Sequence, residues 1–525
     1  MANPVKYSDS TPSNAIRKGQ VAIGIDGINY GPTAETGWYA GSTESSYYQI
    51  YEVVAPDQAP RVYSPLNSGE LINLVNGKGG NVSTEAQAFV WIDSQPNWAI
   101  EDSTPSIVTD GLILYLDAGN RSSYPTTDTT WYDLSGAEYN FSLINGITYD
   151  NNSLYWNGVN SIAGPTSVPV NTAGGAYNTV SFFMKWEGNS GGFPFEFGGY
   201  RLWTPAQWFG FNHGAGDLYG FDGNTNGIIN KWVHVVAIFY NGNYSNNSIY
   251  INGVSKSLSY LYQTNQSATV GYNLAIGGYQ GSLTAYPFKG RINKFQVYNK
   301  SLSQSEIFQN YYNGPIVTDG LVFAIDAGNL VSYESGTSVL DLTGNNLPGS
   351  LNNGTIIEGE WFKFDGVNDE IEFPANNVYK NQNLSLEFWV NYEYEAGGRG
   401  VSFTTWYGFT IEMNNQNASY GTITFGLAGL PNQYFGSPTV EYGKPYLVHC
   451  NYDSTTGVQN IYVNGQLAAT QTVFGVITYS GAALFFSGSW DRAKGKMGFM
   501  KIYNRALTST EVLQNYNAQK VRFGL

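Results

Sequence analysis

A single cysteine, Cys450, and three histidines are all the soft ligands that 525 residues offer. One thiol cannot build a disulfide framework, and one Cys with three scattered His cannot close a structural zinc site without ligands from elsewhere. Such thiol poverty fits a chain folded in a reducing cytoplasm, wherever it acts afterwards. Charge is sparse too: Asp, Glu, Lys and Arg make up 12% of the chain, and 40 acidic residues outnumber 25 basic ones. A formal charge of -15 with no basic run excludes a nucleic-acid groove, which needs clustered Lys and Arg against the phosphates. No run of about 18 apolar residues occurs, so no membrane-spanning helix is expected. The opening MANPVKYSDSTPSNAIRKGQ lacks the apolar core of a signal peptide or anchor. The Asn-x-Ser/Thr triplets at Asn81, Asn151, Asn246 and Asn383 are therefore read as unglycosylated.

What is abundant points one way. Aromatic residues reach 16%, with 41 Tyr, and there are 62 Gly, a balance that suits short half-buried strands and many turns. The phrase IVTDGLILYLDAGN at 107–120 returns as IVTDGLVFAIDAGN at 316–329, identical at ten of fourteen positions. Later landmarks recur in the same order. WYDLSG (131–136) answers VLDLTG (339–344), and YWNGVNSI (155–162) answers KFDGVNDEI (363–371). SIYINGV (248–254) answers NIYVNGQ (460–466), and INKFQVYNKSLS (292–303) answers MGFMKIYNRALT (497–508). A repeat of about 200 residues means duplicated domains, not the short units of a solenoid.

Each copy ends in a short helix whose start is written in the sequence. Ser303 with Glu306, and Thr508 with Glu511, fit a capping box, and Leu302 with Ile307, or Leu507 with Val512, fit the accompanying hydrophobic staple. Before that helix, runs such as VSFFMKW, WVHVVAIFY, LSLEFWVNY and YLVHCNY, punctuated by NG, GN and DG, predict antiparallel strands joined by hairpins. The expected fold is mainly β: two tandem β-sandwiches, residues 105–314 and 315–525, after a small α+β domain at 1–104. In that first domain VAIGIDGINYG predicts strand, turn and strand, YYQIYEVVA a further strand, and SGELINLVNG and STEAQAFVWIDSQ two short helices. Asp117 and Asp326, near the end of the repeated phrase, are expected to cap strand ends by bonding backbone N–H groups two residues on.

The phrases TDGLILYLDAGN, TWYDLSG, FDGVND, WVHVV and the closing YNRALTSTEVLQNYNAQKVRFGL resemble the LamG-like, concanavalin A-like jelly-roll domains of tailed-bacteriophage virion proteins, especially those of phages of marine cyanobacteria. The resemblance covers residues 105–525. PVKYS, GPTAETGWY and ELINLVN also resemble the segment that precedes such domains. The resemblance implies jelly rolls with two curved sheets and ligand-binding loops at one rim or on the concave face. It further implies a non-enzymatic structural protein of the virion, a tail fibre or capsid decoration, made in the host cytoplasm. Residues 1–104 would attach it to other virion proteins, the sandwiches would project toward host surface polysaccharide, and the assembly would be a homotrimer.

Against that background the sequence offers few groups for chemistry. Retaining glycosidases need two carboxyls about 5 Å apart, and residues i and i+2 on a strand share a face. The nearest sets are Asp369, Glu370 and Glu372, and Glu387, Glu393 and Glu395, none of which reproduces the family's glucanase pattern. Gly188–Gly192 satisfies G-x-S-x-G, yet no helix follows it, so a Gly-rich hairpin is expected. Asp222, Asn224, Asn226 and Gly227 begin like a calcium loop, but Val233 stands where the bidentate Glu belongs. A polar turn is expected there, Ca²⁺ is the one metal the sequence leaves open, and no other cofactor is called for. Asp365 and Asp369 are read as turn residues, His234 and His449 as packed in strands, and GKGG at 77–80 as a turn. The positive signal is aromatic residues in expected loops. Trp203, Trp208, Tyr279, Tyr286, Trp406, Tyr407, Tyr434 and Trp490 with Arg492 are of the kind that stack on sugar rings. Tyr279 and Trp490 precede equivalent closing strands and so share one rim loop of the two copies. Two rivals stand beside glycan binding: a purely structural capsid or tail component, and a polysaccharide depolymerase.

Overall fold

The computed structural model describes residues 106–525 except 189–190, 215, 264–265, 395–398, 406–407, 416, 418, 437, 482 and 488–491. Of residues 1–105 it describes the strands and helix given below and a few positions between 82 and 88. Two compact units emerge, Met1–Thr109 with Asn517–Arg522, and Asp110–Tyr516 with Phe523–Leu525.

The first unit holds two four-stranded sheets. Val5–Ser8, Thr11–Ala15, Ala22–Gly24 and Asn29–Tyr30 make one; Gly37–Glu44, Tyr47–Val53, Arg61–Leu66 and Ile100–Glu101 make the other. The expected hairpin is there, with Ala22 opposite Tyr30, and SGELINLVNG forms the helix Ser68–Gly77. Most of the second expected helix lies outside the described residues, as does GKGG beyond Gly77.

The second unit is two β-sandwiches, each an eight-stranded sheet facing a nine-stranded one. Period-two alternation decides what faces inward. On the strand Tyr177–Trp186, Val180, Phe182 and Met184 enter the first core beside Phe195, Phe239 and Phe295. Phe388 and Val390 on Leu384–Tyr392 do the same in the second. The repeated phrase is the opening strand, Leu112–Asp117 or Leu321–Ile325, and each pairs with the long closing strand, Lys289–Tyr298 or Lys494–Tyr503. Its aspartates act as caps: Asp117 Oδ1 accepts from Gly119 N and Asp326 Oδ1 from Gly328 N, both at 2.9 Å.

The terminal helices Gln304–Tyr312 and Ser509–Gln519 start as read from the sequence. Ser303 and Glu306 form a reciprocal capping box, and Thr508 with Glu511 repeats it. Each helix then docks on the outer face of its eight-stranded sheet through one asparagine. Asn310 Nδ2 donates to Tyr298 Oη at 3.0 Å and to Ser181 Oγ at 3.3 Å, and Asn515 Nδ2 donates to Tyr503 Oη and to Glu387 Oε2, both at 3.0 Å. The two knots differ in charge. Ser181 Oγ meets His234 Nε2 at 2.9 Å in the first, whereas Glu387 in the second is ion-paired to Lys501 at 2.6 Å and reaches His449 Nδ1 at 3.0 Å, all fully buried.

Burial, with a smaller push from the Lys294 charge, lowers the His234 pKa from 6.5 to about 3. The unfolded chain then takes up a proton that the folded chain refuses. This contribution to stability is complete above pH 6.5 and is lost as pH falls from there toward 3, at about 1.4 kcal/mol per unit. In His234→Gln, the pH dependence of the denaturant midpoint between about pH 6.5 and 4.5 should flatten by close to one proton. Identical slopes in the two proteins would refute this reading.

The sandwiches are joined to one another by specific bonds. Tyr311 Oη donates to the Leu342 carbonyl at 3.0 Å, Lys185 Nζ pairs with Glu334 at 2.6 Å, and Tyr312 stacks on Phe499.

Candidate functional site

With a helix on the outside of each eight-stranded sheet, the outer face of the nine-stranded sheet is the one no terminal helix covers. In the first sandwich that face is built by Phe195–Phe197, Tyr200–Trp203, Trp208–Asn212 and Leu218–Asp222, neighbours in that order. Phe195, Phe197, Tyr200, Leu202, Phe209 and Phe211 alternate into the core, which turns Glu196, Arg201, Trp203, Trp208 and Asn212 outward.

Glu196 and Arg201 sit opposite each other across a hairpin. The Glu196 side chain is fully buried; one oxygen accepts from Gln280 N at 2.8 Å and the other lies 3.5 Å from the Arg201 guanidinium. Burial raises the Glu196 pKa above the usual carboxylate range, outweighing the Gln280 hydrogen bond and the Arg201 charge. Arg201 also donates to the carbonyls of Gly199 at 2.8 Å and His213 at 3.2 Å, and its guanidinium lies 4.7 Å from the Phe193 ring centre and 5.7 Å from that of Tyr279. The cation thus becomes the floor of an aromatic group.

Tyr286 completes that group. It stacks on Phe193 at 4.5 Å and 10°, and meets Tyr279 at 6.2 Å and Trp203 at 6.4 Å edge-on. Its backbone is left-handed, φ 58°, a conformation that costs a bulky residue about 1–2 kcal/mol and is held here by ring packing. Trp203 in turn reaches Tyr262, centroids 6.4 Å apart, across two intervening strands. It can do so because the row running from Trp203 through Gly210 and Gly220 to Ser259 carries no side chain at its two middle positions. There the strands approach so closely that a Cβ on Gly210 would lie 2.4 Å from the Tyr219 carbonyl oxygen. Tyr286 and Tyr262 keep 45% and 40% of their surface exposed, so the cluster presents ring faces to solvent. Flat, partly exposed ring faces of this kind suit the C–H faces of a sugar.

The second sandwich keeps the scaffold and changes the chemistry. Thr404 pairs with Phe485 and Thr410 just as Glu196 pairs with Ala275 and Arg201, so threonines replace the acid and the arginine. Glu370 and Glu372 point outward on one strand, with Asn352 Nδ2 at 3.3 and 3.5 Å from them.

Of the residues singled out from the sequence, the structure brings together Tyr279, Tyr286 and Trp203. Trp203 and Trp208 stand on strands, not in the loops expected for them, because RLW and WFGF alternate across a short hairpin. Trp208 shares the outer face but has no ring partner among the described residues. Arg492, also named from the sequence, is 14% exposed and bonds Glu370 at 2.5 Å and the Ser487 carbonyl at 2.9 Å. Trp406, Tyr407 and Trp490 lie outside the described residues, as do Ser190 of the G-x-S-x-G phrase and Glu395. Asp222 Oδ1 accepts from the backbone N–H of Asn224 and Thr225, a polar turn, and Asp365 Oδ1 accepts from Val367 and Asn368 in the same way. No group of three or more metal-ligating side chains occurs among the described residues. Phe193, Arg201, Glu196 and Tyr262 were missed; the alternation in FPFEF and YRLW was the available signal.

The Laminin_G_3 family profile, described as the concanavalin A-like lectin/glucanases superfamily, matches residues 157–308 and 365–513, more than half of the chain. No curated protein matches the sequence. Among solved structures, the receptor-binding domain of botulinum neurotoxin type G is 18% identical with a TM-score of 0.29, covering 39% of this chain and 52% of that one. The chain thus spans about half the length of that domain. Domain 4 of the arabinanase AbnA from Geobacillus stearothermophilus, solved with arabinotriose, is 18% identical at a TM-score of 0.24, covering 37% and 87%. A pentraxin from Limulus polyphemus is 17% identical at 0.22, covering 29% and 82%. By the match to both of its sandwiches, the chain belongs to the Laminin_G_3 family of concanavalin A-like domains.

Proposed function

We propose that the chain is a non-enzymatic carbohydrate-binding protein whose first sandwich holds a saccharide on the Tyr279, Tyr286, Trp203 and Tyr262 rings, which the buried Phe193 supports from beneath. The observation that carries this reading is the partly exposed ring cluster on the sheet face that the terminal helix leaves open, anchored below by the buried Glu196–Arg201 pair. Membership of a family described by lectins and glucanases supports the ligand class. The motif resemblance supports the wider setting, a fibre or decoration of a phage virion, trimeric, attached through residues 1–104 and facing host polysaccharide. Weak sites suffice when modules are presented in several copies.

A glycan array probed with the full chain tests the reading. Binding is expected to fall about tenfold or more in Trp203→Ala and in Tyr286→Ala, since each loses the stacking area of one ring. Arg492→Ala should bind as wild type does. An array that retains no glycan would leave the purely structural alternative standing, and release of reducing ends would favour a depolymerase. Antibody labelling of purified particles tests the virion setting separately.

A further inference from the structure

The seam between the two sandwiches contains a cleft of about 720 Å³, continuous past Trp232, Leu330 and Glu334 with a second of about 640 Å³. The larger cleft has a charge opposite to that of the molecule. The chain carries -15 overall, yet the charged residues lining this cleft are Lys231, Lys256 and Glu334, and Glu334 is already neutralised by Lys185 across the seam. Neither Lys231 nor Lys256 has an ion-pair or hydrogen-bond partner for its ammonium among the described residues. Lys256 is half-buried, and burial lowers its pKa, a cost that an anion in the cleft would offset.

The polar groups of the cleft divide into two sets. Ser332 and Thr343 are bound within the fold, Ser332 Oγ to the Leu340 carbonyl and Thr343 Oγ1 to Asp341. Asn230, Ser335 and Ser338 have no such side-chain bonds among the described residues and are exposed toward the opening. We infer that this seam cleft is a binding site for an acidic saccharide, its carboxylate or sulfate groups meeting Lys231 and Lys256 and its hydroxyls meeting Asn230, Ser335 and Ser338. The site is distinct from the ring cluster and does not depend on it. It also exists only where the two copies meet, so a single sandwich would lack it.

Calorimetric titration of the full chain with oligogalacturonate, dextran sulfate oligosaccharide and neutral dextran tests the assignment. One of the two acidic probes should bind, with an affinity that falls as salt is raised. Lys231→Gln with Lys256→Gln should weaken that binding about tenfold, while the paired Lys→Arg variant keeps it. Trp203→Ala with Tyr286→Ala should leave it unchanged, which separates this site from the ring cluster. No binding of either acidic probe, equal binding by the Gln pair, equal uptake of neutral dextran, or loss in the ring variant would each overturn the inference. Thermal unfolding of the Gln pair should match wild type, because both lysines are unbonded in the fold.

Discussion

Replacing Lys501 with methionine is expected to destabilise the second sandwich by about 3–5 kcal/mol, more than most single changes in a β-sandwich. Glu387, Lys501 and His449 are wholly buried beneath the terminal helix, with the Glu387–Lys501 contact at 2.6 Å. Burial alone would push the Glu387 carboxyl up; the Lys501 charge and the His449 hydrogen bond reverse this and hold it at about 2. A carboxylate with a depressed pKa contributes stability that is complete above its ordinary value, near 4.5, and is lost as pH falls from there toward 2. Without Lys501 burial pushes the carboxyl up, so the acid-side loss should shrink or reverse, and the deficit of the variant relative to wild type should narrow as pH falls below about 4.5. Denaturant unfolding of the single variant, of Glu387→Met and of the double Met variant checks both points. The double variant should recover most of the loss, since no unpaired charge remains. A single variant within about 1 kcal/mol of wild type would sink the argument.

Gly277→Ala should destabilise the first sandwich by about 2–4 kcal/mol and loosen the ring cluster with it. Gly277 has φ 88°, and a Cβ there would lie 2.0 Å from Nε1 of Trp156, a fully buried indole that donates to the Ile276 carbonyl. The alanine therefore meets two penalties, left-handed backbone and an overpacked indole. Gly136 is the control, since its φ is 87° but nothing lies within 4 Å of an added Cβ. Gly136→Ala should cost only the backbone share, about 1 kcal/mol. Because Gly277 opens the loop that carries Tyr279 and Tyr286, the same alanine should weaken saccharide binding where Gly136→Ala does not. Equal unfolding midpoints for the two variants would contradict the packing argument.

Much of this architecture is local and so could be read in advance. Capping boxes need only Ser303 and Glu306, or Thr508 and Glu511, three residues apart, and the Asp117 and Asp326 caps need only the next two positions. The ring cluster is different in kind. It joins Phe193 and Trp203 to Tyr262, Tyr279 and Tyr286 through sheet register and loop path, which no short window encodes. Trp203 and Trp208 looked like loop residues because TPAQ between them is turn-like, while the strands on either side are short. The ion pair of Arg492 was not legible because its partner, Glu370, lies 122 positions away. The buried Glu196 was invisible for a related reason: one carboxylate between two phenylalanines gives no hint that an arginine will cover it.

The unlike knots under the two helices also bear on how a duplicated chain avoids confusing its own halves. Two similar sandwiches in one polypeptide can exchange strands while folding. In the native pairing Ser181 faces Gln296 and Glu387 faces Lys501. A hybrid that took the wrong closing strand would bury Lys501 opposite a serine and leave Glu387 opposite a glutamine, each an unmatched charge in a dry interior. The ion pair would thus penalise the hybrid and favour each half closing on its own last strand.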